Sequence, residues 1–387
     1  MTSILFCLIV LLLMYTYFGY PLLLRLAVAF CPPRTAAKQA AAGPEGKTYS
    51  ASLIIPAYNE EADIRSKLEN VLRLDYPKGS LEIIVASDAS TDRTDDIVRE
   101  FAGAGVKLFR ADKRGGKVAA YKNAIQRASG EILIFSDATS QLERDSIKTI
   151  LRNFSDSSVG AVTGRLFFVA QKDGGIGKGE EAYWSYNILI KEAESRLASL
   201  TSVSGTFFAV RKELFPNDMP NDLAEDLIVP LVVVRQGYRT VLESEAICRE
   251  VSVHAETQEV RKRARITVQN IRGLVYGRDL LNVFTHGLFS VLLISHKVLR
   301  ILSPLLLAAL VILNIFLSGS SSFFKLLLCA QAGFYALGYL GGFVHQRRPR
   351  VVNMIHFFCL SNYALFLGIM MYLRGDRMAT WETERPS

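Results

Sequence analysis

The chain has 387 residues, half of which are apolar, and it carries a formal net charge of +8 at pH 7. This length allows one large domain or two small ones in addition to membrane segments, and the positive mean hydropathy favours the membrane option. The basic charge suits an anionic partner such as a lipid head group, a nucleotide phosphate or nucleic acid. The five cysteines form no CxxC pair and the five histidines lack metal-ligand spacing, which argues against a disulfide framework and a zinc site.

The N-terminal segment is predicted to be a membrane anchor at residues 1–30. Residues 2–24 contain no charged side chain, and this run has the length that a helix needs to cross a bilayer core. We favour a retained anchor over a signal peptide because no basic stretch precedes the run, which is also too long for the apolar part of a signal peptide. Arg25, Arg34 and Lys38 follow it and place the next segment in the cytoplasm. An Ala/Gly/Lys linker is predicted at residues 31–49.

Strands and helices alternate at the start of the soluble region, which is predicted to span residues 50–256. The apolar runs "SLIIP", "EIIVAS", "VKLF" and "ILIFS" are separated by helical patterns near residues 60–73, 93–101 and 118–128. This alternation predicts an α/β fold with a mostly parallel sheet, in which ligands bind beyond the carboxyl ends of the strands. Polar residues fall at those ends, namely Asn59, Glu60, Asp88, Asp92, Lys113 to Lys117, and Asp137. Helix capping is an equal alternative for Asp92.

The loop "DKRGGKVAAYKNA" indicates an anion site. Lys113, Arg114 and Lys117 lie before or in the first turn of a predicted helix, where the helix dipole disfavours each cation by roughly 0.3 to 1 kcal/mol. The adjacent glycines let the backbone approach a ligand closely, so a nucleotide phosphate would offset these charges; a solvated basic loop is the alternative. Neither GxxxxGK[ST] nor a GxGxxG at a strand end occurs, so P-loop and dinucleotide-dependent chemistries lose their main support.

The C-terminal part is predicted to meet and then cross a membrane. Residues 257–300 contain "EVRKRARITVQNIRGLVYGRDLL", whose mixture of arginines and apolar residues is typical of a basic amphipathic helix at a membrane surface. Uncharged stretches at residues 301–324, 326–344 and 351–373 are each long enough to cross, which predicts membrane helices over 301–373. Arg347, Arg348 and Arg350 mark the middle connection as cytoplasmic. The side of the membrane on which the tail at 374–387 lies stays open. The number of predicted crossings favours the outside, whereas Arg374 and Arg377 favour the inside.

Seven segments occur in an order that resembles the family 2 glycosyltransferases with a GT-A fold: "SLIIPAYNEE", "IVASDASTDRT", "KRGGKVAAYKNA", "IFSDAT", "VSGTFFAVRKELF", "AEDLIVPLVVVRQGYR" and "VRKRARI". The resemblance covers roughly residues 50–275 and is greatest to membrane-integrated synthases of the cellulose, hyaluronan and poly-N-acetylglucosamine type. It implies a nucleotide-diphospho-sugar transferase domain joined to transmembrane helices in the cell membrane. The catalytic domain would face the cytoplasm, with membrane lipids and no nucleic acid as partners.

The resemblance also implies roles for individual residues. The nucleotide-sugar site, for which a UDP-sugar is the expected donor, would comprise Pro56, Tyr58, Asn59, Glu60, Asp88, Lys117, Arg263 and Arg265. Within it, Asn59, Glu60 and Asp88 would contact the base and ribose, whereas Lys117 and the two arginines would hold the diphosphate. The acceptor side would comprise Gly205, Thr206 and Ile266. Asp137 matches the first aspartate of the family's metal motif, and Asp226 matches its general base.

Physical arguments support the two carboxylate assignments. Magnesium retains several waters and takes few protein carboxylates when substrate phosphates supply oxygens, so Asp137 alone suffices for Mg²⁺ or Mn²⁺. Pro230 is tolerated only near a helix start, so a helix is expected to begin close to Asp226 and to favour its ionised form. Adjacent carboxylates point in different directions, which leaves Asp226 as the base and Glu225 in support. Simple helix capping is the alternative for this pair.

Three departures from the family pattern bear on the acceptor. Lys262 stands where glutamine is expected, Ala224 where threonine often occurs, and Ile266 where processive synthases have tryptophan. Ile266 offers no aromatic face on which an acceptor sugar could stack.

The leading hypothesis is an inverting glycosyltransferase that transfers a sugar from a nucleotide sugar to a polysaccharide or other glycan. The alternative acceptor is a polyprenyl phosphate or glycolipid that receives one or a few sugars, and a catalytically silent nucleotide-sensing or transport protein is the rival from another class.

Overall fold

The computed structural model describes residues 1–30, 48–170, 178–252, 256–343 and 349–378. Most of the predicted linker and the end of the predicted tail lie outside these residues. The same is true of four of the basic residues on which the topology prediction rests, namely Arg34, Lys38, Arg347 and Arg348.

Eight strands of the described residues form a single sheet. They are β1 Ala51–Ala57, β2 Leu81–Ser87, β3 Val106–Arg110, β4 Ile132–Ser136, β5 Ser140–Leu142, β6 Val159–Ala170, β7 Phe207–Arg211 and β8 Arg239–Ser252. Their order is β3-β2-β1-β4-β7-β6-β8-β5. The four strands predicted from the sequence run parallel to one another, whereas β7 is antiparallel to β4 and β6, and β5 is antiparallel to β8. The expectation of a mostly parallel sheet is therefore confirmed. The antiparallel strands β7 and β5 make the complete sheet a mixed one.

Helices cover both faces of the sheet. Those of the catalytic region are α3 Ile64–Leu72, α4 Thr94–Glu100, α5 Lys117–Ile125, α6 Ser146–Leu151, α7 Lys178–Leu197 and α8 Glu225–Arg235, and they follow α1 Thr2–Met14 and α2 Tyr20–Phe30. Helix α3 begins later than expected, because the backbone N–H of Glu60 donates to the Thr94 hydroxyl and residues 61–63 form a turn. Strands β1 and β4 are buried along their whole length, as strands covered on both faces should be.

The C-terminal helices connect the sheet domain to apolar segments. They are α9 Glu256–Tyr276, α10 Val283–His286, α11 Leu288–Leu293, α12 Leu299–Ser318, α13 Ser322–Gly341 and α14 Arg350–Leu373. Among the described residues, four helical segments are long and apolar enough to cross a membrane: Thr2–Phe30, Leu288–Ser318, Ser322–Gly341 and Val351–Leu373. The second begins at Leu288 rather than near residue 301, because a π-helical turn at Ile294–Val298 joins α11 to α12 without a break.

Helix α9 packs closely on both the catalytic region and the last apolar helix. A Cβ atom at Gly368 of α14 would lie 2.5 Å from the Thr267 Cβ atom of α9, so only glycine allows this approach. At its other end, α9 places Gly273 against Leu227 of α8, where a Cβ atom would lie 2.9 Å from the leucine side chain. The amphipathic helix predicted from the sequence therefore lies between the sheet domain and the apolar helices.

Candidate functional site

A cavity of about 1730 Å³ opens at the carboxyl ends of β1 and β4. Eleven of the fourteen site residues predicted from the sequence line it: Pro56, Glu60, Lys117, Asp137, Gly205, Thr206, Glu225, Asp226, Arg263, Arg265 and Ile266. The other three, Tyr58, Asn59 and Asp88, lie beside it in the loops after β1 and β2.

Sheet register explains why residues far apart in sequence meet here. Ile54 of β1 pairs with Phe135 of β4 in parallel, so both strands deliver their following loops to one edge. Strand β7 is antiparallel and enters from that same edge, where Ser136 pairs with Phe207. The Asp137 N–H donates to the Thr206 carbonyl at 3.2 Å, which joins the two loops directly.

Lys117 connects three parts of the site. It is the first residue of α5, and its Nζ lies 2.8 Å from Asp137 Oδ1 and 2.9 Å from Glu225 Oε1. The same ammonium donates to the Gly205 carbonyl at 3.2 Å. Burial opposes the charge, but the two carboxylates hold the pKa of Lys117 well above its usual value. Lys117 is therefore a fixed cation at the centre of the cavity.

Asp226 lies at the start of α8, as predicted, and lines the cavity next to this cluster. Its backbone carbonyl accepts from the Val203 N–H at 2.9 Å, which ties α8 to the loop that carries Gly205. A Cβ atom built on Gly205 would be 3.6 Å from both the Asp226 Cβ and Glu225 Oε1. Within the described part of the chain, the half-buried Asp226 carboxylate makes neither an ion pair nor a hydrogen bond, whereas Glu225 is bound to Lys117.

Asp88 holds the backbone of the basic loop in place. It is fully buried, and its two carboxylate oxygens accept from the backbone N–H groups of Gly115 and Gly116, each at 2.8 Å. The loop that the sequence predicted to hold a phosphate is thus shaped by Asp88. The ribose contact implied for this residue remains a prediction, because its carboxylate does not line the cavity.

Tyr58 and Asn59 are also held by neighbouring loops. The Arg114 guanidinium lies 3.8 Å from the centre of the Tyr58 ring. Asn59 adopts a φ of 54° and accepts from the Thr91 N–H at 2.8 Å. Asp92 accepts from the Thr94 N–H at 3.0 Å and from the Glu61 N–H at 3.1 Å, whereas Arg93 is the residue that directly precedes α4.

The surroundings of Asp137 contain oxygen ligands suited to a hard cation. Thr139 donates to Glu250 Oε1 at 3.3 Å, and burial, together with the charge of Asp137, raises the pKa of Glu250. In the described ranges, no three His, Cys, Asp or Glu side chains converge as a complete metal cage. Asp137 and Thr139 both line the cavity, two residues apart. One carboxylate and a neighbouring hydroxyl fit a divalent ion whose remaining ligands come from a substrate diphosphate.

Lys67 supports the Asp137 loop and was not predicted. It is fully buried, and its Nζ donates to Ser136 Oγ at 2.7 Å, to the Ser140 carbonyl at 2.8 Å and to Ser140 Oγ at 3.1 Å. Burial lowers its pKa to about 8, although the charges of nearby acidic groups oppose this. The sequence did contain a signal, because Lys67 shares the apolar face of its helix with Ile64, Leu68 and Val71.

Helix α9 presents its basic residues in different directions. Arg263 Nε donates to Glu259 Oε1 at 2.6 Å, and its guanidinium lies 5.0 Å from the centre of the Phe357 ring on α14. The charge of Lys262 acts on Glu250, where it opposes the rise in pKa that burial causes. Lys262 and Arg265 are three positions apart and so share a helix face. Arg263 would have to leave its present partners to reach a diphosphate.

Comparison with known proteins identifies the central part of the chain. Residues 52–217 match the family model described as glycosyl transferase family 2. A beta-monoglucosyldiacylglycerol synthase of Nostoc sp. (strain PCC 7120) is 30% identical over 192 residues, which are 49% of this chain and 40% of that protein. A poly-beta-1,6-N-acetyl-D-glucosamine synthase of Staphylococcus epidermidis is 29% identical over 164 residues, which are 42% of this chain and 39% of that protein. The chain spans less than half the length of these relatives.

One solved structure matches almost the whole chain. The mannosyltransferase PcManGT from Pyrobaculum calidifontis, solved with GDP-Man and Mn²⁺, has a TM-score of 0.71 and is 21% identical to the chain. The match covers 96% of this chain and 100% of that one. The GT-A fold and the apolar helices implied by the sequence are therefore shared with a solved protein.

Proposed function

Because residues 52–217 match the family model described as glycosyl transferase family 2, we propose that the chain is a membrane-bound inverting glycosyltransferase. It transfers a sugar from a nucleotide sugar to a polysaccharide or other glycan, and the expected donor is a UDP-sugar. The observation that carries the proposal is that Lys117, Asp137 and Asp226 line one cavity although they come from three separate segments. The basic residues after the first apolar helix support a cytoplasmic catalytic domain at the plasma membrane.

Asp226 is the proposed general base. An acceptor hydroxyl attacks the anomeric carbon, its proton passes to an Asp226 carboxylate oxygen, and the bond from that carbon to the diphosphate oxygen breaks. A single displacement of this kind inverts the anomeric configuration. Asp226 suits the role because it lines the cavity at the start of α8 and has no partner among the described side chains. Glu225 acts indirectly by holding Lys117 in place.

Lys117 is the proposed electrostatic partner of the departing diphosphate. Its charge is maintained by Asp137 and Glu225, and Arg265 and Lys262 face the same cavity from α9. Fixed cations aimed at a developing negative charge lower the barrier because they need no reorganisation during the reaction. A divalent ion, Mg²⁺ or Mn²⁺, would add Lewis-acid stabilisation of the leaving group when bound, and Asp137 with Thr139 would hold it.

The nucleotide would lie over the loops that follow β1 and β2. Pro56 and Glu60 line this end of the cavity, and Tyr58 and Asn59 are adjacent to it. Asp88 would act by fixing the Gly115–Gly116 backbone, whose amides then form part of a phosphate-binding loop. Gly205 and Thr206 would form the acceptor side, because their loop separates the Lys117 cluster from Asp226.

A second acceptor class is favoured by a specific observation. The cavity is lined by Ile266 of α9, which cannot stack on a sugar, and it extends to residues of the apolar helices such as Ile301 and Phe358. Such a cavity suits transfer of one or a few sugars to a glycolipid or a polyprenyl phosphate. The Nostoc relative is a glucosyldiacylglycerol synthase by name, which is consistent with a lipid acceptor.

The experiment is a donor screen on the full chain in vesicles. Radiolabelled nucleotide sugars are supplied one at a time, and the products are separated into lipid-soluble and polymeric fractions. We expect one donor to be consumed, with Asp226→Asn reducing turnover by at least about a hundredfold, the lower range for loss of a general base. Asp218→Asn, an exposed carboxylate outside the cavity, is the matched control. Full activity of Asp226→Asn would remove the proposed base.

A further inference from the structure

The cavity does not end at Asp226 but continues toward the apolar helices. Beyond the base it is lined by Tyr17 near the end of α1, by Ile301 of α12, and by Phe358 and Leu365 of α14. All four belong to segments that are long and apolar enough to cross a membrane. This end of the cavity therefore offers the surroundings that a lipid chain requires.

Three of the cations that line the cavity come from α7 and from the second apolar segment. They are Lys191 of α7, Lys297 of the π-helical turn and Arg300 of α12. Arg300 Nη1 donates to Asn187 Oδ1 at 2.8 Å, and its guanidinium lies 5.1 Å from the centre of the Tyr186 ring. Asn187 is one helical turn from Lys191, so these contacts bring the basic faces of α7 and α12 together.

The depth of Lys297 and Arg300 matches that of lipid head groups. They belong to the apolar segment Leu288–Ser318, whose 31 residues exceed the roughly 20 that a bilayer core requires. Helix α12, Leu299–Ser318, has 20 residues and alone spans the core. The two cations then lie at its membrane–water boundary. Cations inside apolar segments are costly and mark binding sites when they face a cavity rather than lipid.

Glu194, which lies about one helical turn from Lys191 on α7, already has partners of its own. Glu194 accepts from Tyr20 at 2.6 Å and from the Thr201 N–H at 3.3 Å, and it lies 2.6 Å from His296 Nδ1, so its carboxylate is already engaged. Among the side chains that the structure describes, Lys191 has neither an ion pair nor a hydrogen bond. Burial lowers its pKa to about 8, repulsion from Lys297 adds to this, and Asp226 and Glu194 oppose it. An anion placed between the two lysines would relieve their repulsion.

We propose that Lys191, Lys297 and Arg300 bind the phosphate of a lipid acceptor, whose hydrocarbon chain lies along the apolar walls of the cavity. The proposal rests on the transferase function and specifies its acceptor as a phosphate-bearing lipid. The site anchors this phosphate, while the hydroxyl that Asp226 deprotonates belongs to the acceptor's glycan part. An acceptor bound in this way would stay attached to the membrane while its far end reaches the cleft.

The test measures binding to the full chain in micelles of an uncharged detergent, which contribute no phosphate. Three probes are compared: polyprenyl monophosphate, the matching uncharged polyprenol, and inorganic phosphate. We expect polyprenyl phosphate to bind at least about tenfold more tightly than either of the other two, because charge-assisted hydrogen bonds and apolar burial act together. Equal binding of polyprenol would overturn the phosphate site, and equal binding of inorganic phosphate would overturn its assignment to a lipid.

Variants locate the site. Lys191→Met and Lys297→Met should each weaken polyprenyl phosphate binding by about tenfold or more, and Lys191→Arg should retain most of it. Lys325→Met, which removes an exposed lysine at the start of α13, is the matched control and should bind as the unmodified chain does. Unchanged binding by both cavity variants would overturn the assignment. If the methionine variants fail to fold, the comparison of the three probes on the unmodified chain still decides the proposal.

A parallel measurement separates this inference from the transferase function. Release of nucleoside diphosphate is followed with each donor sugar in the same micelles, once with a polyprenyl diphosphate that carries a short glycan and once with an uncharged glycosyldiacylglycerol as the acceptor. Absence of turnover with every donor, together with selective binding of polyprenyl phosphate, would overturn the function but leave the phosphate site intact. Efficient transfer to an uncharged lipid that Lys191→Met does not impair would overturn the phosphate site but leave the function intact.

Discussion

Lys117→Met tests whether one cation organises the site. The substitution removes the ammonium that lies 2.8 Å from Asp137 and 2.9 Å from Glu225, whose side chains are 28% and 11% exposed. A hydrogen bond to a charged group contributes about 1.5–3 kcal/mol, and solvent screening and non-additivity bring the pair of contacts to about 2–3 kcal/mol in total. The variant should therefore lose that much free energy of unfolding, since two carboxylates are left facing each other.

The same substitution should weaken donor binding. A bound diphosphate would lose one charge-assisted contact, which corresponds to roughly a ten- to hundredfold higher Kd for the nucleoside diphosphate. Titration calorimetry in detergent measures this Kd, and urea unfolding of the same samples measures stability. Lys113→Met is the matched control, because Lys113 is an exposed cation of the same loop that does not line the cavity. Equal effects of the two substitutions would refute a specific role for Lys117.

A double-mutant cycle with Glu225→Gln isolates the ion pair. If Lys117 and Glu225 stabilise each other, the double variant should be less destabilised than the sum of the single variants, by about 1–2 kcal/mol for a partly buried pair. Strict additivity would show that the two side chains act independently. That result would contradict the supporting role assigned to Glu225.

Three further outcomes follow from the structure. Burial raises the pKa of Glu82, but hydrogen bonds from Lys107 and its other neighbours lower it to about 2, so its stabilisation is present above about pH 4.5 and is lost as the pH falls toward 2. Glu82→Gln should cost about 1–2 kcal/mol at pH 7 after screening, and the difference from the unmodified chain should shrink in acid unfolding measurements. Excess chelator should abolish turnover, Mg²⁺ or Mn²⁺ should restore it, and unchanged rates would remove Asp137 from metal binding. Gly368→Leu should lower the unfolding temperature by forcing α14 away from Thr267, whereas an unchanged melting curve would contradict the close packing seen there.

The part of the site that local patterns could predict is the part built at strand ends. Asp137 follows a short buried strand and Lys117 follows a glycine pair, so sequence patterns alone place both residues at the sheet edge. Asp226 could be placed at a helix start from Pro230 alone. In each case the chemistry depends on backbone features that a few neighbouring residues determine.

The residues that were missed depend on pairing between distant segments. Glu250 reaches the Asp137 loop because β5 pairs with β8, where Ser140 is opposite Glu250, and no local pattern predicts that register. Lys191 reaches the cavity because α7 packs against α2, β8 and α14, and no local pattern predicts those contacts. Arg263 was predicted and does line the cavity, but its contact with Phe357 was not predicted, because α14 supplies a ring that sequence spacing could not place there.

The two sides of α9 determine which site residues depend on the membrane part of the chain. Lys117, Asp137 and Asp226 are held by the sheet, α5 and α8, so these three residues would keep their arrangement without the apolar helices. Ile266, on the proposed acceptor side, and Arg265, proposed to contact the diphosphate, both belong to α9, which is fixed by Gly273 against Leu227 on one side and by Gly368 of α14 on the other. Any shift of α14 relative to the sheet must therefore move these two residues before it disturbs the base. The base is thus held by the sheet domain, whereas acceptor selection and one diphosphate contact depend on the packing of α9 against α14.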